Sequence, residues 1–298
     1  MTTVNMTDYQ SRTNDLSEWW QDLSPVWQEI FLINLALSQK MAKNKLRSLK
    51  ILRRHYYASP QVIYEKFYGE DFVMPEEEVS EQTLEKITQL EEILCQATPV
   101  TDLDPLAKLP SLRFLFCHST PLENIEALKY NRYLKTLNCS KTPITKIDIL
   151  KFCPLLETLI ANDTLISDLS ELEYLRKMRI LWLERTAIKS IKPLRRMNKL
   201  VQLNISFTAV EDLSPLQSMS ELKVLKAGMT KVKDLTSLSA NTQLEKLYLW
   251  ATPITDLKPL HTLTHLHKLF VPHCKYLEQT QINELKSKII LCTVIQEG

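Results

Sequence analysis

The chain has 298 residues, 44% of them apolar, with a formal net charge of +2 and only three glycines. That length and composition predict a soluble globular protein with a large core, and no apolar run reaches the roughly 20 residues of a membrane span. So small a net charge predicts no wholesale nucleic-acid binding, and Gly69, Gly228 and Gly298 are too scattered to form a glycine-rich phosphate loop.

In chain order, residues 1–15 are polar and lack an apolar core ahead of a small-residue cleavage site, so no secretory leader is expected. Asp15, with Glu18 three residues on, has the spacing of a helix start and precedes Leu16, Trp19, Trp20 and Leu23. Ser24-Pro25 opens a second helix, with proline at the tolerated first position. Ser59-Pro60 opens a shorter one that Gly69 ends. Trp19, Trp20 and Trp27 are a large apolar investment for a linker, and they predict an all-α cap over residues 1–88. Within it runs a basic stretch, Lys40, Lys43, Lys45, Arg47, Lys50, Arg53 and Arg54. It reads either as a patch for an anionic ligand or nucleic acid, or as a solvated face balanced by Glu76, Glu77, Glu78 and Glu81.

From Leu90 onward the chain repeats every 22 residues. Thr98, Thr120, Thr142, Thr164, Thr186, Thr208, Thr230 and Thr252 keep that step without a slip. Such a period is the signature of stacked structural repeats. Counting each unit from its first leucine (Leu90, Leu112, Leu134, Leu156, Met178, Leu200, Leu222, Leu244 and a partial ninth at Leu266), positions four and six are apolar in every unit. Their alternation predicts a short strand with those side chains inward. Pro105, Pro193, Pro215 and Pro259 share one later position, where proline limits the return path to a turn or short helix. After Val271, the pattern Ile282, Leu285, Ile289 predicts a helix, and the apolar run Ile290 to Ile295 a last strand covering the sheet edge.

The unit L-x-x-L-x-(L/C/A)-x-x-T-x-(I/V/L)-x-x-(L/I)-x-x-L resembles the leucine-rich repeats, specifically the 22-residue subclass of internalins and of a nuclear phosphatase regulator. Thr252-Pro253-Ile254-Thr255-Asp256-Leu257-Lys258-Pro259-Leu260 follows that consensus closely. The W-W-x-x-L-S-x-x-W preface from Trp19 to Trp27 is similar to the start of some bacterial repeat proteins. The resemblance implies an α/β fold: a leucine-rich repeat solenoid with a curved parallel sheet and short helical or 3-10 returns at 89–273, an all-α N-terminal cap, and a C-terminal cap at 274–298. Position nine departs from the family's frequent asparagine. Threonine stands there instead, so a hydroxyl ladder is expected to take over the bonding to adjacent coils.

No G-x-S-x-G, Walker A or H-E-x-x-H motif is present, and the reading is of a protein that is not an enzyme and needs no cofactor. His261, His265 and His267, with His273 and Cys274 nearby, are the only histidine cluster, and their repeat positions do not converge on a metal. Asp102, Asp168, Asp212, Asp234 and Asp256 share a turn position that suits side-chain-to-backbone bonding rather than acid–base work. Cys95, Cys117 and Cys139 replace inward leucines, and cysteine used as packing points to the cytoplasm.

The outward strand positions need not be apolar for folding, yet two aromatic clusters occur there, Phe114 with Phe116 and Tyr248, Trp250 with Phe270. With Trp182, Arg185, Phe207 and Lys226 they are the candidate partner-binding residues. The expectation is a monomeric protein–protein interaction module that grips a protein partner on its concave face. Two alternatives stay open: a regulatory or targeting subunit of an enzyme such as a phosphatase, implied by the resemblance, and anionic-ligand binding through Lys40 to Arg54.

Overall fold

The computed structural model describes residues 16–44, 59–62, 65, 74, 79–289 and 292–295. The predicted cap residue Asp15, the side chains of the basic stretch Lys40–Arg54, Gly69, the acidic residues Glu76 to Glu78, and Ile290 and Leu291 lie outside the described residues.

Each repeat contributes a three-residue strand and a return turn. The strands are β1 (Glu92–Leu94), β2 (Phe114–Phe116), β3 (Thr136–Asn138), β4 (Thr158–Ile160), β5 (Ile180–Trp182), β6 (Gln202–Asn204), β7 (Val224–Lys226), β8 (Lys246–Tyr248) and β9 (Lys268–Phe270), and β10 (Thr293–Ile295) follows the repeats. All pair in parallel, in the order β1 to β10. The register from β1 to β9 is the sequence period itself: Ile93 faces Leu115, and Leu115 faces Leu137. A one-unit step therefore stacks like on like, and the inward leucines form continuous buried columns. The return paths are five-residue 3-10 turns, from Asp104–Lys108 to Thr236–Ala240, with a shorter one at Lys258–Leu260. Pro105, Pro193, Pro215 and Pro259 each occupy the second residue of such a turn, where proline's fixed φ fits and its missing N–H is not needed.

The threonine column does a different job from the one expected. Each hydroxyl donates to the position-six carbonyl of its own coil, three residues back, at 2.5–2.9 Å. The cause is the backbone just before it. Position eight is left-handed in every unit, φ 50–60° from Ala97 through Phe207 to His273, so the chain doubles back and brings that carbonyl under the hydroxyl. Side-chain amides join the coils elsewhere: buried Asn131 donates its Nδ2 to the carbonyls of Leu106 and Leu109 at 3.0 Å, and Asn241 does the same to Leu216 and Met219.

Ahead of the first coil lie helices α1 (Leu16–Asp22), α2 (Pro25–Asn44) and α3 (Glu81–Thr88); α2 packs against β1, and α3 packs against both α1 and α2. Trp19 and Trp27 close on Phe31 at centroid distances of 5.5 and 5.2 Å, and their cluster is continuous with the solenoid core. Ser80 caps α3 by accepting from Thr83 N. The alternate backbone groups of β1 point away from β2, and α2 meets them with one amide. Asn34 Nδ2 donates to Leu94 O at 2.9 Å, and Leu94 N donates to Asn34 Oδ1 at 2.8 Å. A side chain thus completes the pairing that a further strand would have supplied. At the other end, helix α4 (Gln279–Lys288) buries Ile282 and Leu285, and β10 pairs with β9.

Candidate concave interaction site

Position five of each strand projects from the concave side of the sheet, and its column changes character along the solenoid. At the N-terminal end the expected exposed cluster is covered: Phe116 is 7% exposed and Leu94 1%, while Phe114 is half-buried. Phe116 is therefore a correction to the sequence reading. Outward strand direction predicts exposure only where nothing lies over the face, and here α2 packs against β1. His118, expected to point outward, is only 2% exposed, and burial with the Lys141 charge pulls its pKa down to about 4.

From β5 to β9 the same column stays half-open except at Asn204, buried between Trp182 and Lys226, and the aromatic rings of this face meet. Trp250 stands edge-on to Phe207 at 5.8 Å and to Phe270 at 6.2 Å, and Tyr248 lies 6.0 Å from Phe270. Cations thread between the rings. The Arg185 guanidinium sits 4.2 Å over Phe207, Lys226 Nζ lies 5.7 Å from both Trp182 and Tyr248, and Lys268 Nζ 5.3 Å from Tyr248. Arg185 is held by Glu184 at 3.0 Å, and Glu184 in turn accepts from Asn204 Nδ2 at 2.9 Å. Seven of the nine predicted residues (Trp182, Arg185, Phe207, Lys226, Tyr248, Trp250 and Phe270) thus form one connected patch, and Phe114 and Phe116 are not part of it.

Gly228, Lys268 and Glu184 were missed. Gly228 had a readable signal, as the one glycine within the repeats, 22 residues before Trp250. A Cβ there would lie 2.1 Å from the indole, so only glycine lets Trp250 fold down onto the neighbouring coil.

The other sequence candidates carry no converging chemistry. Asp102, Asp168, Asp212, Asp234 and Asp256 each accept from the backbone N–H two residues on, at 2.7–3.2 Å, as expected of a turn position. The Ser170 N–H and hydroxyl hold Asp168, and the Thr236 hydroxyl and N–H hold Asp234, below the usual carboxylate range. His265 Nδ1 is 3.0 Å from Thr242 O, and among the described residues no group of three or more His, Cys, Asp or Glu is placed to hold a metal. Cys95, Cys117 and Cys139 are free and buried, and desolvation pushes the Cys139 thiol up to about 12. No helix among the described residues is long and apolar enough to cross a membrane.

No protein-family model matches the chain, and no curated protein does. Solved structures do. Internalin C2 of Listeria monocytogenes is 26% identical with a TM-score of 0.60, over 63% of this chain and 82% of that one. The internalin InlF of the same organism is 25% identical with a TM-score of 0.67, over 83% and 73%. A leucine-rich repeat protein of Leptospira interrogans, at 16% identity and a TM-score of 0.67 over 72% and 56%, shares the fold. The unbroken 22-residue register, the ten-stranded parallel sheet, the 3-10 returns and these neighbours agree that the chain is a leucine-rich repeat protein, an α/β solenoid.

Proposed function

We propose that the chain is a non-enzymatic protein-interaction module that holds a protein partner on the C-terminal half of its concave sheet, at Trp182, Arg185, Phe207, Lys226, Tyr248, Trp250 and Phe270. The observation that carries this reading is the patch itself, in which rings and cations contact one another across five coils while remaining half-accessible. Large rings and arginine are the residue types that dominate binding energy at protein interfaces, and rings already braced by neighbours lose little further freedom on docking. Gly228 supports the same reading, since the coil has given up a side chain to seat Trp250. In this proposal residues 1–88 and 274–298 close the two ends of a solenoid spanning 89–273, and the buried free thiols fit a reducing, cytoplasmic setting.

The test is affinity capture with the full chain and with the triple variant Trp182→Ala/Tyr248→Ala/Trp250→Ala. A partner held by wild type should bind the variant at least ~30-fold more weakly, because interface anchors of this type contribute about 2 kcal/mol or more each. Equal capture by both proteins, with the variant's fold intact by circular dichroism, rejects the concave patch.

A further inference from the structure

The chain's weak net charge hides a local concentration on the opposite side of the solenoid. Residues 176–199 hold nine of the 37 lysines and arginines and one of the 35 aspartates and glutamates. Six of the cations lie around the return turn Lys192–Arg196 and the two turns into β5 and β6: Arg176, Lys177, Lys192, Arg195, Arg196 and Lys199. Among the described residues none of the six is in an ion pair. Arg176, Arg196, Asn198 and Lys199 line an open depression of about 680 Å³ together with Ser220 and Glu221. Lys192, Arg195 and Arg196, with Asp212 as the one carboxylate, line the next one, of about 800 Å³, so Arg196 belongs to both.

The fold does not require cations there. One coil later the positions of Arg195, Arg196 and Lys199 are taken by Gln217, Ser218 and Glu221, and the return turn Ser214–Ser218 has the same length and form. Crowded like charges repel, so the cluster costs stability with no structural return. One and two coils earlier, the position of Arg196 is occupied by Tyr174 and Phe152, which are 58% and 37% exposed. The turn of Tyr174 packs directly alongside that of Arg196, and the turn of Phe152 packs alongside that of Tyr174. The carboxylate beneath them, Glu171, is matched by Lys151 at 3.4 Å; Glu173 is the acidic neighbour on the same turn.

A column that runs ring, ring, guanidinium and then opens into two cationic depressions matches one ligand chemistry closely. Single-stranded nucleic acid offers bases to exposed rings and phosphates to guanidinium forks in alternation. We propose that this convex corner binds single-stranded nucleic acid, with phosphates on Arg176, Arg195, Arg196 and Lys199 and bases stacked on Tyr174 and Phe152. The site is separate from the concave patch and independent of its proposed role.

Fluorescence anisotropy of the full chain with labelled 12-nucleotide oligo(U) and oligo(dT), from 50 to 300 mM KCl, tests it. Saturable binding to either strand is expected, with log affinity falling against log salt at a slope of about −0.7 per phosphate engaged. Arg195→Gln/Arg196→Gln should make that slope shallower by about 1.4. Tyr174→Ala should weaken binding about tenfold at an unchanged slope, as loss of a stacked base does. Tyr248→Ala/Trp250→Ala should leave it unchanged. No saturable binding at 50 mM salt overturns the proposal. So does an unaltered affinity in Tyr174→Ala, or competition by polyglutamate or anionic vesicles as strong as by unlabelled oligonucleotide. Every substituted position of the corner and patch variants is at the surface or half-buried, and a melting curve for each confirms that a lost signal is a lost contact. Should the arginine pair fail to fold, Arg176→Gln/Lys199→Gln reads the same slope.

Discussion

The two ends of the concave face are built from the same repeat positions and differ in what lies over them. Phe116 and Trp182 both follow an inward leucine by one residue, yet Phe116 is buried and Trp182 half-open. Beneath them the backbone is the same, down to a left-handed residue three positions on, Ser119 at φ 59° and Arg185 at φ 53°. The repeat therefore fixes where a side chain points, and the flanking helices decide whether water reaches it. At the N-terminal end α2 packs on β1, where the outward Leu94 is core. At the C-terminal end the rings brace one another instead.

The largest effect should come from removing the keystone of that cover. Phe31 is fully buried between Trp19 and Trp27, and Phe31→Ala should cost about 3–5 kcal/mol. In a solenoid each coil leans only on its neighbours, so the damage should stay local. Hydrogen exchange should show protection lost over β1 to β3 and retained over β7 to β9. Uniform loss along the whole sheet would mean that the two ends are not separable.

Acid should find the covered end next. His118 is buried and its folded pKa lies near 4, below the ordinary 6.5, so the unfolded chain binds this proton first as pH falls. Its contribution is complete above about pH 6.5 and is lost progressively toward pH 4, amounting to about 2–3 kcal/mol by pH 4.5. Urea melts at pH 7 and 4.5 measure this. His118→Gln should remove most of the difference, and an unchanged difference would place the acid sensitivity elsewhere.

A smaller loss is expected at the seam between α2 and the sheet. Asn34→Leu removes both bonds to Leu94 and leaves a buried donor and acceptor of β1 without partners, at about 2 kcal/mol. Asn34→Asp should cost at least as much, since a buried carboxylate still accepts from Leu94 N but faces the carbonyls of Ile30 and Leu94 with no proton to donate. Thermal melts rank the two, and equal stability of wild type and Asn34→Leu would show that packing alone holds the helix on the edge.

Much of this was legible in the sequence, and the gaps have physical causes. Period and alternation place Ile93, Leu115 and their successors inward because local sterics set side-chain direction in a strand. The prolines give the return turns for the same local reason. Contacts between distant segments were not legible. No local rule says that Asn34 would meet Leu94 sixty residues away, or that Phe116 would be buried. Threonine was assigned to the wrong bond because the left-handed residue before it varies from unit to unit (alanine, serine, lysine, aspartate, arginine, phenylalanine or methionine) and is never glycine, so its sequence gives no sign of the turn. The concave patch was readable from composition, but its basic counterpart on the convex side was diluted by whole-chain charge counting.

The smallest effect tests whether the two ends share one backbone. Ala97 in the first unit and Ala251 in the eighth are both left-handed, at φ 55° and 50°. An L-residue pays about 1–2 kcal/mol for that conformation, and glycine escapes most of it while losing more freedom on folding. Ala97→Gly and Ala251→Gly should therefore each stabilise the protein by about 0.5–1 kcal/mol, with no side-chain contact larger than a methyl removed. Matching gains in paired thermal melts would locate the whole difference between the ends in what lies over the sheet. A gain at Ala251 with a loss at Ala97 would instead mean that the helical flank also reshapes the turns beneath it.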